Sequence, residues 1–211
     1  MKSAGKRFER PLVRGFVHEP DGAPRGAIAL FHGASGNCGG KLLIAAAEAF
    51  RAAGVLAFRG DLPFRQNRPS GPPRPNSQKD RDGIQRAAEE LRRLTGEARL
   101  CLGGQSYGAR QCTMVAAEDS GRASGLLLLS YPLHPPGRPE KPRTEHFPAL
   151  RTPALFVHGS RDPFGSLEEM RAALPLVAAR TKLIPVTGGG HSLPESIART
   201  LPEWLSEIMK F

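Results

Sequence analysis

The chain has 211 residues, of which 39% are apolar and 24% charged, so its length and composition predict one α/β domain and exclude a disordered chain. The net charge is +10, but the basic residues are scattered and only two Tyr and one Trp are present to stack on bases, which argues against specific nucleic-acid binding. No apolar run is long enough to cross a bilayer and the N-terminus has no apolar signal region, so we expect a soluble cytoplasmic protein with no membrane partner.

The first third of the chain alternates strand and helix patterns. Residues 1–10 are polar and are expected to form a flexible tail. Apolar runs predict strands at Leu12–His18, Gly26–His32 and Val55–Arg59. Helical spacing predicts a helix at Lys41–Ala53, which Gly54 can cap. Gly33–Gly40 is glycine-rich, and Gly60–Ser77 is predicted to be a long irregular loop because of its prolines.

The alternation continues through the rest of the chain. Strands are predicted at Arg99–Leu102, Gly125–Ser130, Ala154–His158 and Lys182–Val186, and helices at Lys79–Thr95, Ala109–Glu118, Leu167–Leu174 and Leu193–Met209. Pro132–Pro153 is proline-rich and is predicted to be a second irregular loop. Such an order predicts a single domain over residues 1–211, with a mostly parallel central sheet and helices on both faces.

A short glycine-flanked serine motif is the sharpest chemical signal. Gly104-Gln105-Ser106-Tyr107-Gly108 matches the Gly-x-Ser-x-Gly nucleophile elbow, with an apolar strand before it and a helix after it. The serine of such an elbow lies in a strained strand-to-helix turn, where larger side chains at Gly104 and Gly108 would collide with neighbouring elements. The motif predicts Ser106 as a nucleophile, and a glycine-rich helix-capping turn is the structural alternative.

A serine hydroxyl needs a base, and the base needs an orienting acid. His191 follows the last predicted strand in a glycine-rich loop, and Asp162 follows the strand that ends at His158. Ligands of open parallel sheets bind at the carboxyl ends of strands, and the order Ser, acid, His is the one this architecture requires. We therefore predict His191 as base and Asp162 as its partner, although Asp before Pro also favours a plain turn.

The negative charge that develops on a carbonyl oxygen during attack requires backbone N–H donors. One donor is expected from the residue after the nucleophile, Tyr107, and one from the loop after an early strand, most simply Ala34 in His32–Gly36. A phosphate-binding function for this loop is excluded, because the Gly-Lys-Ser/Thr ending is absent.

The cysteines do not suggest a disulfide or metal framework. Cys38, Cys101 and Cys112 are odd in number and form neither a CxxC pair nor, with the histidines, a zinc-type spacing. The sequence therefore predicts a reducing compartment, no metal and no cofactor.

Three blocks resemble a known group of enzymes. Gly103–Arg110, Ser130–Gly137 and Gly159–Gly165 resemble the α/β hydrolases grouped with the Tex-type testis-expressed protein and the KANL-type NSL-complex subunit, within a match over Ala27–Met209. The chain is similar, more distantly, to dienelactone-hydrolase-like proteins, which typically carry a cysteine nucleophile where a serine stands here. The resemblance implies an α/β-hydrolase fold without a large cap domain, and a role for Arg110 and the Tyr131–Gly137 loop in lining or bracing the site. A rigid proline-rich brace is the structural alternative for this loop.

These observations lead to one expected activity and one alternative. We expect a serine hydrolase that cleaves an ester, thioester or amide of a small acyl substrate through an acyl-enzyme. Arg59, Arg65 and Arg68 would suit a substrate that carries a carboxylate. The alternative is a non-catalytic interaction module on a hydrolase scaffold, and the sequence leaves a homodimer open.

Overall fold

The computed structural model describes residues 5–73, 77–96 and 99–209. Eight strands of these residues form one sheet in the order β1-β2-β4-β3-β5-β6-β7-β8. Their bounds are β1 Lys6–Arg10, β2 Val13–His18, β3 Ala27–Phe31, β4 Leu56–Asp61, β5 Leu100–Gln105, β6 Gly125–Leu129, β7 Ala154–Gly159 and β8 Thr181–Val186. Strand β2 pairs antiparallel with β1 and β4, whereas all other neighbours pair parallel. The prediction of a mostly parallel sheet is confirmed.

Helices cover both faces of the sheet. The α-helices of the described residues are α1 Lys41–Ala52, α2 Pro63–Asn67, α3 Gln78–Thr95, α4 Tyr107–Glu118, α5 Leu167–Ala173 and α6 Leu201–Met209. Helices α3 and α4 contribute to the apolar core on one face, and α1 and α6 to the core on the other. Every residue of β3 is buried, which explains its continuous apolar sequence, because a central parallel strand is covered on both sides.

The expectation of a flexible tail over residues 1–10 is wrong for its second half. Lys6–Arg10 forms the edge strand β1 in register with β2, and Phe8 packs edge-on against Phe58 with ring centroids 6.0 Å apart. The other side chains of β1 are exposed. An edge strand with one neighbour needs little apolar surface, so its sequence resembles a polar tail. Residues 1–4 of the expected tail lie outside the described residues.

Two further predictions need correction. The loop predicted at Gly60–Ser77 contains helix α2, which Pro63 begins because its fixed φ suits the first helical position. The helix predicted over Leu193–Met209 begins only at Leu201, after a 3-10 segment at Glu195–Thr200. In a continuous α-helix the ring of Pro202 would clash with the carbonyl group four residues earlier, so the α-helix starts next to this proline.

The carboxyl edge of the sheet carries the loops that matter for function. Within the three described ranges, no cap domain stands over this edge, and the segments that follow β3, β5, β7 and β8 lie there. Among the described helices, none combines the length and apolar character needed to cross a bilayer.

Candidate active site

Ser106 occupies a strained turn between β5 and α4. Its φ is +52° and its ψ is −114°, a conformation that costs a non-glycine residue about 1–3 kcal/mol. A Cβ atom on Gly104 would lie 2.4 Å from the Phe31 carbonyl oxygen, and one on Gly108 would lie 2.6 Å from the same oxygen. These distances supply the steric reason for a glycine on each side of the turn. The turn projects the serine at the carboxyl edge of the sheet.

We expect the Gly108→Ala variant to lose stability and to disturb this turn. The added methyl group would contact two backbone oxygens, those of Phe31 and His32, at 2.6 and 2.7 Å, and backbone cannot move aside as a flexible side chain can. Overpacking of this kind costs about 1–3 kcal/mol or more. Thermal unfolding of the variant, measured by circular dichroism, should show a melting temperature lower by about 2–4 °C for each kcal/mol.

The matched control for that measurement is Gly190→Ala. A Cβ atom on Gly190 would have no heavy-atom neighbour within 4 Å, so this variant should melt close to the parent. Equal melting temperatures for the parent and Gly108→Ala would contradict the steric account of the turn.

The structure brings Ser106, His191 and Asp162 into one hydrogen-bonded chain. The Ser106 hydroxyl donates to His191 Nε2 at 2.7 Å. On the other side of the ring, His191 Nδ1–H donates to the Asp162 carboxylate, 2.8 Å from Oδ2 and 3.0 Å from Oδ1. The Asp162 side chain has no exposed surface, whereas the imidazole is 23% exposed. All three predicted side chains therefore meet at the edge where the sequence analysis expected them.

Close backbone packing between two loops makes this meeting possible. A Cβ atom on Gly159, at the end of β7, would lie 2.3 Å from the Gly190 carbonyl oxygen, so glycine is required for the loop that carries His191 to approach. The Arg161 N–H donates to the Gly189 carbonyl oxygen at 2.8 Å and joins the two loops. The carboxylate and the imidazole are thus positioned by neighbouring strands, β7 and β8.

Two side chains beside Asp162 and His191 were not assigned roles from the sequence. Phe164 stacks on the His191 ring with centroids 4.1 Å apart, and its N–H donates to Asp162 Oδ1 at 2.9 Å. His158 is fully buried, and its Nε2–H donates to the Gly165 carbonyl oxygen at 2.7 Å. Burial lowers the pKa of His158, which keeps a second positive charge away from the acid. The one sequence signal for the contacts of Phe164 was its position two residues after Asp162.

The backbone amides of Ala34 and Tyr107 border the same cavity as Ser106. Neither amide has a hydrogen-bond partner among the described residues, as expected for Tyr107 at the first position of a helix. A Cβ atom on Gly33 would lie 3.4 Å from the Ser106 Cβ, so the loop after β3 passes directly beside the serine. Two residues with free N–H groups therefore border the cavity beside Ser106.

Arg65 braces that loop and does not face the substrate. Its guanidinium donates to the carbonyl oxygens of Ala34 and Gly36, each at 2.8 Å, and the residue is only 4% exposed. Arg59 is also buried and donates to the Cys38 carbonyl oxygen at 2.7 Å. The expectation that Arg59 and Arg65 serve an anionic substrate is wrong, because backbone carbonyls occupy both side chains. Arg68, the third arginine of that expectation, donates to the Pro72 carbonyl oxygen at 2.6 Å.

Asp80, at the start of α3, holds Tyr107 and Phe64 in place beside the site. It accepts a hydrogen bond from the Tyr107 hydroxyl at 2.7 Å and one from the Phe64 N–H at 2.9 Å. Burial, together with this carboxylate, holds the pKa of Tyr107 well above its usual range. The Tyr107 side chain is thereby anchored away from its own amide. The sequence carried no signal for Asp80, because its partners lie in other segments of the chain.

The serine opens into a cavity of about 490 Å³. Its walls include the loops after β3, β6, β7 and β8, and the turn that leads into α4. The residues are Gly33, Ala34, Ser106, Tyr107, Arg110, Pro132, Arg143, Phe164 and His191. A depression of about 950 Å³ lies elsewhere, between α1 and α6, and none of these side chains borders it. Among the described residues, no group of three His, Cys, Asp or Glu side chains is arranged to hold a metal ion.

The fold and the hydrogen-bonded chain at its carboxyl edge are those of the α/β-hydrolase class. The chain belongs to the alpha/beta hydrolase domain family, whose sequence model matches residues 24–207.

Solved structures share the fold at low sequence identity. Est1E from Butyrivibrio proteoclasticus superposes with a TM-score of 0.78 at 15% identity, covering 99% of this chain and 100% of Est1E. A dienelactone hydrolase from Anabaena variabilis gives 0.76 at 17% identity, covering 98% and 99%. XC6422 from Xanthomonas campestris, described as a serine hydrolase without a lid, gives 0.70 at 18% identity, covering 98% and 95%. These likenesses establish the fold.

Proposed function

We propose that this protein is a serine hydrolase that cleaves an ester, thioester or amide of a small acyl compound. The observation that carries the proposal is the hydrogen-bonded chain from Ser106 through His191 to Asp162, with distances of 2.7 and 2.8 Å. Nucleophile, base and orienting acid are the three roles such a chain supplies for acyl transfer.

The proposed reaction begins with attack of Ser106 Oγ on the substrate carbonyl carbon. His191 Nε2 accepts the hydroxyl proton as the new C–O bond forms, and Asp162 stabilises the resulting imidazolium through Nδ1–H. The Asp162 side chain is withdrawn from water, so its interaction with that imidazolium is stronger than it would be in bulk solvent. The carbonyl oxygen becomes an oxyanion that accepts hydrogen bonds from the amides of Ala34 and Tyr107.

Collapse of the tetrahedral intermediate releases the leaving group, which takes the proton from His191. The acyl group then remains on Ser106, and a water molecule attacks it with His191 again as base. Small residues at Gly33 and Ala34 leave room for the acyl group beside the serine, and the cavity volume of about 490 Å³ suits a small molecule. We also propose, from the resemblance of its motifs, that the chain is related to the KANL/Tex-type hydrolases.

A fluorophosphonate probe tests the proposal directly. The Ser106 oxygen should form a bond to phosphorus as fluoride leaves, and mass spectrometry should locate the adduct on the peptide that contains Ser106. A panel of 4-nitrophenyl esters, thioesters and anilides then reports the preferred bond. Absence of labelling by the folded protein, together with no turnover of any panel member, would favour the non-catalytic interaction module.

A further inference from the structure

Two arginines line the cavity that contains Ser106. Arg110 lies on the first turn of α4, and its backbone N–H donates to the Ser106 carbonyl oxygen at 3.0 Å. Arg143 comes from the Pro132–Pro153 loop, and its Nη1 lies 3.5 Å from the carbonyl oxygen of Pro132, which also lines the cavity. Helix α4, beside the serine, and the Pro132–Pro153 loop thus each contribute one positive charge to the same cavity.

Neither guanidinium has an acidic partner within the part of the chain that the structure describes. No carboxylate lies within 4.0 Å of either one, and Arg110 Nε is buried without any hydrogen-bond partner. Glu145 is the acidic residue that acts on Arg143, but it is exposed and forms no ion pair with it. Both residues are half-buried, so each guanidinium group is partly withdrawn from water without a carboxylate that would offset its charge.

The surrounding groups do not neutralise the two charges. Burial, and then repulsion from Arg110, lowers the pKa of Arg143. Burial, and then the same arginine, lowers the pKa of His146 to about 4, so this imidazole is neutral at pH 7. Its Nε2 forms a hydrogen bond with the Thr113 hydroxyl at 2.8 Å. Tyr131 and Tyr107, which also face Arg110, have pKa values raised by burial and are uncharged. Of the groups that act on Arg143 and His146, Glu145 is the one that carries a negative charge, and it is exposed.

The Arg143 loop is held in one position by its own hydrogen bonds. The Tyr131 hydroxyl donates to the Arg143 carbonyl oxygen at 2.6 Å, and the Arg143 N–H donates to the Leu133 carbonyl oxygen at 2.7 Å. Tyr131 is fully buried and packs against Phe147 and Phe156. These contacts fix the backbone of Arg143 beside the cavity, so the loop itself needs no further ordering when a ligand binds, which favours a preformed subsite.

We propose that Arg110 and Arg143 form a carboxylate-binding subsite, so that the substrate of Ser106 is an acyl compound carrying a carboxylate a few carbon atoms from the scissile carbonyl. This inference rests on the proposed function. Guanidinium groups present planar pairs of N–H donors that match the two oxygens of a carboxylate. An anion between the two arginines would offset their repulsion. Half-esters and half-thioesters of short dicarboxylic acids have this chemistry.

The test compares two substrates of equal chain length, mono-4-nitrophenyl adipate and the neutral 4-nitrophenyl hexanoate. The ratio of their kcat/KM values isolates the contribution of the carboxylate. Because hydrogen bonds between charged groups are stronger than those between neutral groups, the ratio should fall about 10- to 150-fold in Arg110→Gln and in Arg143→Gln. In Arg143→Lys, which keeps the positive charge but loses the planar pair of N–H donors, the ratio should fall less than in Arg143→Gln.

Arg138→Gln is the matched control. Arg138 is exposed in the same loop and does not line the cavity, so removing its charge should leave the ratio unchanged. A ratio that falls equally in all three glutamine variants would reduce the effect to general charge and overturn the subsite. An unchanged ratio in both cavity variants would overturn it as well.

Calorimetric titration of the Ser106→Ala protein with adipate separates this proposal from the proposed function. Binding that is weakened at least tenfold by Arg143→Gln supports the subsite even if the parent protein neither labels nor turns over esters. Absence of adipate binding in a protein that labels on Ser106 overturns the subsite and leaves the hydrolase proposal standing. Tighter binding of inorganic phosphate than of adipate would overturn the carboxylate assignment. If Arg110→Gln fails to fold, Arg143→Gln and Arg143→Lys carry the test.

Discussion

The Ser106→Ala variant should lose at least about 10³-fold in kcat while remaining folded. The substitution removes the proposed nucleophile, the hydroxyl that donates to His191 Nε2 at 2.7 Å. The strained backbone of this turn is the same for alanine and serine, because both carry a Cβ atom. Steady-state kinetics with the best ester of the panel would measure the loss, and circular dichroism would establish that the melting temperature is retained.

Ser196→Ala provides the comparison for that loss. Ser196 is exposed in the 3-10 segment before α6 and lies away from the cavity, so this variant should keep the parent rate and the fluorophosphonate label. Substantial ester hydrolysis by Ser106→Ala, at more than about a tenth of the parent rate, would disprove the assignment of Ser106 as nucleophile.

The second large effect is expected for Asp162→Asn, for which we predict a kcat lower by about 10⁴-fold with the site geometry intact. Asp162 Oδ1 also accepts the Phe164 N–H at 2.9 Å. An asparagine that keeps this bond must turn its NH₂ group toward His191 Nδ1, which then has to be the acceptor. The remaining ring proton moves to Nε2, where it opposes removal of the Ser106 proton. The loss therefore follows from the wrong tautomer rather than from unfolding.

Two measurements distinguish that cause from a structural one. The histidine tautomer can be assigned by ¹⁵N NMR of labelled protein, and the variant should show a protonated Nε2 where the parent shows a protonated Nδ1. Asp119→Asn, a change of the same chemistry at an exposed position after α4, should leave the rate unchanged. A rate for Asp162→Asn within tenfold of the parent would show that Asp162 does not orient His191.

The candidate site depends on contacts that hold its parts still as much as on its reactive groups. The buried Arg65 fixes the loop that carries the Ala34 amide, and Asp80 fixes the side chain of Tyr107. Phe164 limits the rotation of the His191 ring by stacking on it. Free N–H groups and an aligned imidazole are useful only if they do not need to reorganise during the reaction, and these three contacts supply that rigidity.

The amino-acid sequence by itself determined the layered α/β fold and the identity of the three side chains that meet at the candidate site. Continuous apolar runs indicate burial on two faces, and helical spacing indicates burial on one, so the residue pattern alone was enough to locate β3 and α3. Gly104 and Gly108 flank Ser106 because the turn is crowded, and this crowding is a local property. Asp162 and His191 followed from the order that such residues take after parallel strands.

Only the tertiary structure decided which side chains support the site and which face the substrate. Arg65 and Arg143 both lie in proline-rich segments that the sequence predicts to be loops, yet the Arg65 side chain is buried against backbone carbonyls whereas Arg143 borders the cavity. Strand β1 has the sequence of a polar tail, since its stability comes from pairing with β2 rather than from its own apolar residues. The sequence pattern around a residue indicates the steric and solvation requirements of that residue. Its contact partners depend on how segments far apart in the chain pack together.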